Sequence, residues 1–250
     1  MPISFNTGVS NGAHASATIT LALPSGILVN DVMLMSLTCF NLVDTAPAIA
    51  FSGAGGNWTL VPTSDSSANP QVPSGGGAYA YVYAYYRIAT AGDIGATLTI
   101  TGSGAGFDST NTWWAAAVAS YTTVSTVTPV DVASGTLAFT ARPLYLFSVT
   151  CPVLTPNFTS DMAVYLGGGV TNVGDGLNIP CVTTSRENIV SVDNVVAAIT
   201  DSNGFAGYSA GGGQFSTYWQ GITWLGAFTV GLTAADGGAA GPVLTGYRSG

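Results

Sequence analysis

The sequence predicts an all-β chain, an antiparallel β-sandwich made of two diverged half-repeats in one domain. Three observations carry this. The first is a strict alternation in Tyr79-Ala-Tyr-Val-Tyr-Ala-Tyr-Tyr-Arg87: tyrosine stands at 79, 81, 83 and 85, and Arg87 continues the row. Side chains alternate faces along a strand, so a period of two puts Tyr79, Tyr81, Tyr83, Tyr85 and Arg87 on one face and small or branched residues on the other. A helix would scatter the same tyrosines around its circumference. The second observation is that short apolar or alternating runs are cut throughout by Gly, Pro, Asn and Asp. The third is that the order of runs in the first half recurs in the second.

In chain order, Ser16–Leu23 alternates and stops at Pro24-Ser-Gly26, a strand and its turn. Asn30-Asp31 opens the next strand, which runs to Cys39. Ala48–Phe51 is a short strand, and the glycines of Ser52–Gly56 turn the chain into Trp58–Val61. Residues 62–77, with three prolines and Gly75-Gly-Gly77, form a long loop before the tyrosine strand. Ala-Thr-Ala-Gly-Asp93 then turns the chain into Ala96–Thr101. Thr112–Tyr121 is a buried strand; its alanines leave a helix open, but the tryptophan pair and the β-rich surroundings favour a strand.

The second half answers the first. Phe147–Val153 is a strand, and Asp161–Leu166 matches Asp31–Met35. Cys181–Thr184 stands for Trp58–Val61, and Val195–Asp201 with Gly204–Ala210 stand for the tyrosine strand and its partner. Trp224–Val230 matches Trp114–Val118 and is expected to be a buried closing strand. Two sets of four or five strands would thus close one sandwich together. The expected layout is an N-terminal arm over 1–15, the sandwich over 16–232 and a C-terminal tail over 233–250.

Composition excludes several functions. Charged residues are 6% of the chain, against roughly 25% in ordinary domains. There is no lysine, and the cations are Arg87, Arg142, Arg186 and Arg248, with a net charge of -8. Such a chain cannot neutralise a phosphate backbone, so no nucleic-acid partner is expected. The absence of lysine also removes a P-loop and Schiff-base chemistry. No apolar run reaches the ~18 residues of a membrane helix, and Met1-Pro-Ile-Ser-Phe5 carries no signal-peptide pattern. Synthesis in the cytoplasm without membrane insertion is the expectation. Cys39, Cys151 and Cys181 show neither metal spacing nor a disulfide framework, so three free, at least partly buried thiols are expected.

No catalytic residue, metal site or cofactor is expected. Gly207-Tyr-Ser-Ala-Gly211 matches the pattern of a hydrolase nucleophile elbow, but glycines follow it and the single histidine, His14, lies far upstream. A glycine-rich β loop is the better reading. Asp31, Asp93, Asp131 and Asp161 sit singly at turns and strand starts, where acids are ordinary. Glycan cleavage would need two carboxylates brought together by folding.

The order Pro-Ser-Gly26, Asn30-Asp-Val-Met-Leu34, Trp58-Thr-Leu-Val61, Tyr85–Asp93, Ala116–Tyr121 and Pro129-Val-Asp131 resembles a group of jelly-roll β-sandwich domains. These occur in bacteriophage virion proteins and bacterial surface proteins, and the resemblance runs from about Ser16 to Leu232. It implies a jelly-roll-like sandwich in a non-enzymatic structural protein of a virion surface, as capsid decoration or a tail-fibre or tip component. The implied partners are copies of the same chain, with a trimer first, together with other virion proteins. The alternative is a carbohydrate- or receptor-binding module reading a host surface glycan, or a glycan hydrolase. The resemblance brings no shared catalytic residues. Three placements of Tyr79, Tyr81, Tyr83, Tyr85 and Arg87 stay open: core between two sheets, subunit interface, or ligand platform.

Overall fold

The computed structural model describes residues 2–42, 45–53, 56–63, 79–104, 107, 109–140, 146–154, 162–170, 184–190, 194–201, 214–218 and 223–235. Their regular structure is strand, apart from two 3-10 turns. The first half holds β1 (Ser4–His14), β2 (Thr18–Ala22), β3 (Val32–Asn41), β4 (Ala48–Gly53), β5 (Thr59–Leu60), β6 (Tyr79–Ile88), β7 (Thr97–Ser103) and β8 (Thr112–Thr122). The second holds β9 (Val130–Thr140), β10 (Leu146–Thr150), β11 (Met162–Val170), β12 (Thr184–Val190), β13 (Val195–Asp201), β14 (Gln214–Tyr218) and β15 (Thr223–Leu232). The alanine-rich run expected as a strand rather than a helix is β8.

The strand order of the large sheets repeats position by position, and that of the small sheets for two of three strands. A five-stranded sheet of order β1-β8-β3-β6-β5 in the first half has its counterpart in β9-β15-β11-β13-β12, and the smaller sheet β2-β7-β4 has its counterpart in β10-β14. The pairings are antiparallel, and the chain passes from a large to a small sheet and back at β1-β2-β3, β3-β4-β5 and β6-β7-β8 in the first half and at β9-β10-β11 and β13-β14-β15 in the second. The half-repeat is therefore a unit of topology as well as of sequence.

The halves close a sandwich together, as expected: their two large sheets stack face to face, and each large sheet is covered on its other face by a small sheet of its own half. The physical reason lies in the strands themselves. β3 and β13 are buried along nearly their whole length, and every residue of β11 is buried. Side chains of a strand point both ways, so such strands need cover on both faces. One face of the first large sheet, with Val32, Leu34, Val82, Ala84, Ala117 and Ala119, packs on Val164, Leu166, Ala197, Ile199, Phe228 and Val230 of the second. Its other face, with Met33, Met35, Leu37 and Tyr81, packs on Ile19, Leu21, Leu98 and Ile100 of its own small sheet. The second large sheet likewise covers Val149 and Phe215 of β10 and β14 with Ala163, Tyr165, Val196 and Leu225. The result is four layers. Val32, Leu34, Val164, Leu166, Ile199 and Phe228 are fully buried, and at about 1.5–3 kcal/mol each they hold the halves together by on the order of 10 kcal/mol before ordering entropy is subtracted.

Polar contacts cross the central interface. Ser36 Oγ donates to the Gly167 carbonyl at 2.9 Å, and Thr38 Oγ1 donates to the Val196 carbonyl at 2.8 Å. At one end Arg186 of β12 forks onto Asp201 of β13 at 2.6 and 3.0 Å, while its guanidinium lies 4.6 Å from the centre of the Phe5 ring on β1.

The expected N-terminal arm is corrected: residues 4–14 are β1, paired with β8 from Ser4↔Thr122 to His14↔Trp113. Ser-Phe-Asn-Thr-Gly-Val-Ser-Asn-Gly-Ala-His has little strand propensity of its own, so pairing with the strongly apolar β8 decides its conformation. The strand expected over Gly204–Ala210 lies outside the described residues; β14 takes the corresponding place in the sheet.

Candidate functional site

The structure settles the tyrosine row by burial. Tyr81, Tyr83 and Tyr85 are 1%, 3% and 5% exposed and fill the space between the first large sheet and its small sheet. The alanine face of the same strand meets the second half. These three tyrosines are core rather than an exposed platform or a subunit-facing row, and Tyr83 and Tyr85 also line the groove described below. Tyr79 is half-buried and stacked on Tyr81, with ring centres 6.4 Å apart. A tyrosine in a core needs an outlet for its hydroxyl, and Tyr83 finds one by donating to the Pro47 carbonyl at 3.1 Å.

Arg87 ends the row as an anchor. Its Nε and Nη2 donate to the Asp93 carboxylate at 3.1 and 3.2 Å, and its Nη1 donates to the Asn57 carbonyl at 3.0 Å. Asp93, fully buried, also accepts from the backbone N–H and the hydroxyl of Thr90 at 2.7 and 2.8 Å. Burial alone would push the Asp93 carboxyl up; the Thr90 and Arg87 donors outweigh it and hold the group below the usual carboxylate range. One arginine thus ties the end of β6 to the Asn57-Trp58 segment that leads into β5.

That segment forms one wall of a groove. β4 is the free edge of the small sheet and β5 a two-residue edge of the large one, and the two edges do not pair. Between them lies a groove of about 670 Å³ lined by Phe51, Trp58, Leu60, Tyr83 and Tyr85, with Asn57 and residues 47–50 at its rim. The Phe51 ring stands edge-on to Tyr85 at 5.0 Å and 82°, and Tyr83 and Tyr85 are stacked at 5.9 Å and 19°. Phe51 and Trp58 are 6.3 Å apart. Burial raises both Tyr83 and Tyr85 above the ordinary phenol range, so both hydroxyls stay protonated as donors. The buried Trp58 Nε1–H has no acceptor. Among the described residues the lining carries no carboxylate, imidazole or thiol.

The other sequence candidates do not converge on it. Asp31 is buried and accepts from Asn6 Nδ2 at 2.7 Å and from the Leu28 N–H at 3.0 Å. His14 ends β1, exposed, 6.0 Å from the Trp113 ring centre. Ser209, Asp161 and Cys181 lie outside the described residues, as does the side chain of Trp224. Cys39 and Cys151 are free and buried. Among the described residues no group of three or more His, Cys, Asp or Glu is placed to hold a metal ion. Sequence reasoning missed Phe51 and Trp58 as site residues: each is a lone aromatic beside a turn, and only the packing of the small sheet on the large one sets them beside Tyr85.

A second groove, of about 390 Å³, opens at one end of the first sandwich between the turn before β3 and the segment after β8. Its rim carries Leu28, Val29 and Val127, exposed by 57%, 51% and 88%. Asn30 and Thr123, which also line it, have φ of 74° and 59°, a left-handed conformation that is costly for a β-branched threonine.

No family model matches the chain, and no curated protein matches it.

Proposed function

We propose that this chain is a non-enzymatic structural protein of a bacteriophage virion surface, a capsid-decoration or tail-fibre component that works as a homo-oligomer. The observation that carries the reading is the pairing of a repeated sheet body with an apolar end left open to neighbours. Leu28, Val29 and Val127 cluster around a groove on a surface with few charges, and apolar groups grouped this way on a folded protein mark contact sites. The strained Thr123 beside them fits a surface shaped for a partner rather than for stability alone. The buried carboxylates support a non-enzymatic role, since Asp93 and Asp201 are each held by an arginine within the fold. Residues around Pro24-Ser-Gly26 and Asn30-Asp31, part of the likeness to virion jelly-roll domains, form the turn that presents Leu28 and Val29.

The test has two arms. Light scattering of the wild-type chain is expected to give a multiple of the monomer mass, with a trimer first, and Val127→Asp is expected to release folded monomers. Negative-stain imaging of purified particles with a labelled copy is expected to place it on the particle surface. A monomeric wild type defeats the oligomer, and a label absent from particles defeats the virion role.

A further inference from the structure

We infer that the groove between the β4 and β5 edges is a binding site for a neutral carbohydrate, independent of where the chain sits on a particle. Its volume of about 670 Å³ falls within the roughly 300–1,000 Å³ of small-molecule sites. Its composition matches that class too, with aromatic and aliphatic walls and few polar groups. A pyranose ring presents an apolar face of C–H groups bordered by hydroxyls. Aromatic rings attract the C–H face through their negative π surface, and phenol and indole groups can hydrogen-bond the hydroxyls. Here Phe51, Leu60 and the Tyr85 ring supply the apolar surface.

The described lining is uncharged. It offers no counter-ion to a nucleotide, a phosphosugar or an acidic sugar, which selects a neutral ligand. Trp58 is 5% exposed, and its N–H is buried without an acceptor. A buried donor left unpaired is costly, and a small turn of the indole on binding would let a sugar hydroxyl or ring oxygen accept from it. The rings are held in place by their own packing and by Arg87 on the Asn57 carbonyl, so little order has to be created on binding.

The experiment titrates the full chain with cellohexaose, maltohexaose and chitohexaose, followed by tryptophan fluorescence. At least one sugar is expected to bind and to change the emission. Trp58→Phe removes the N–H and is expected to weaken binding several-fold. Leu60→Glu alters only an exposed wall residue, so it leaves the core intact, and it is expected to weaken binding about tenfold or more. Tyr85→Phe is expected to cost a few-fold. No binding by folded wild type up to ~10 mM of any of the three sugars overturns the site. Binding that both Leu60→Glu and Trp58→Phe leave unchanged also overturns it.

Discussion

Thr38 on β3 occupies the space that a side chain on Gly168 of β11 would need: a Cβ at Gly168 would overlap the Thr38 hydroxyl oxygen and come within 2.9 Å of a Val82 methyl. The same hydroxyl donates to the Val196 carbonyl on β13. The glycine run of β11 is thus the surface against which the first half seats a hydrogen-bonded threonine, and the close approach of the two large sheets depends on it.

Gly168→Ala is therefore expected to destabilise the fold by about 1–3 kcal/mol, as overpacking does. Thr38→Ala alone should cost about 0.5–1.5 kcal/mol through its lost hydrogen bond. The double variant should be more stable than the sum of the two losses, because each change relieves the other. Urea unfolding of the four proteins measures the coupling, and strict additivity would disprove face-to-face stacking at this point.

Tyr81→Ala and Tyr83→Ala are each expected to cost about 3–5 kcal/mol, as loss of a buried aromatic does, and together to unfold the chain. Tyr83→Phe, which gives up only the bond to Pro47, should lose about 1 kcal/mol. Circular dichroism with light scattering separates this from a surface role, in which the double alanine variant would stay folded.

Asp93 makes stability depend on acid. Its folded-state carboxyl titrates below its ordinary range, so the stabilisation it brings is present above the unfolded value near 4 and is lost as pH falls through the lower folded value. Asp93→Asn should cost about 3–5 kcal/mol near neutrality, because it strips the charge from a buried Arg87 partner. The gap between wild type and variant should narrow as pH drops below about 4. A gap that stays constant down to about pH 2 would show that the Asp93 charge contributes nothing.

Cys39 and Cys151 are expected to resist thiol reagents in the folded chain. Burial pushes Cys151 up to about 12 and Cys39 higher, which leaves almost no reactive thiolate at neutral pH. Titration in denaturant should find three thiols per chain, and rapid modification of Cys39 or Cys151 before unfolding would contradict their placement in the core.

The strands with strong alternation or continuous apolar runs, such as β6, β8, β11 and β13, were legible because period and propensity are local properties of a few successive residues. So was the half-repeat, since matching runs recur in matching order. β1 and β9 were not. Asn, Gly and Ser dominate β1, and its ladder is supplied by β8, which lies far along the chain, from Ser4↔Thr122 to His14↔Trp113. The alternation of β6 established by itself that Tyr81, Tyr83 and Tyr85 share a face. Which layer covers that face depended on Phe51 and Ile100 of other strands and on Pro47 just before β4. The groove beside Tyr85 exists because the β4 and β5 edges fail to meet, and no stretch of sequence records the distance between two edges. Periodicity assigns a residue to a side of its strand; only packing between distant parts of the chain decides whether that side faces a core, a partner or a ligand.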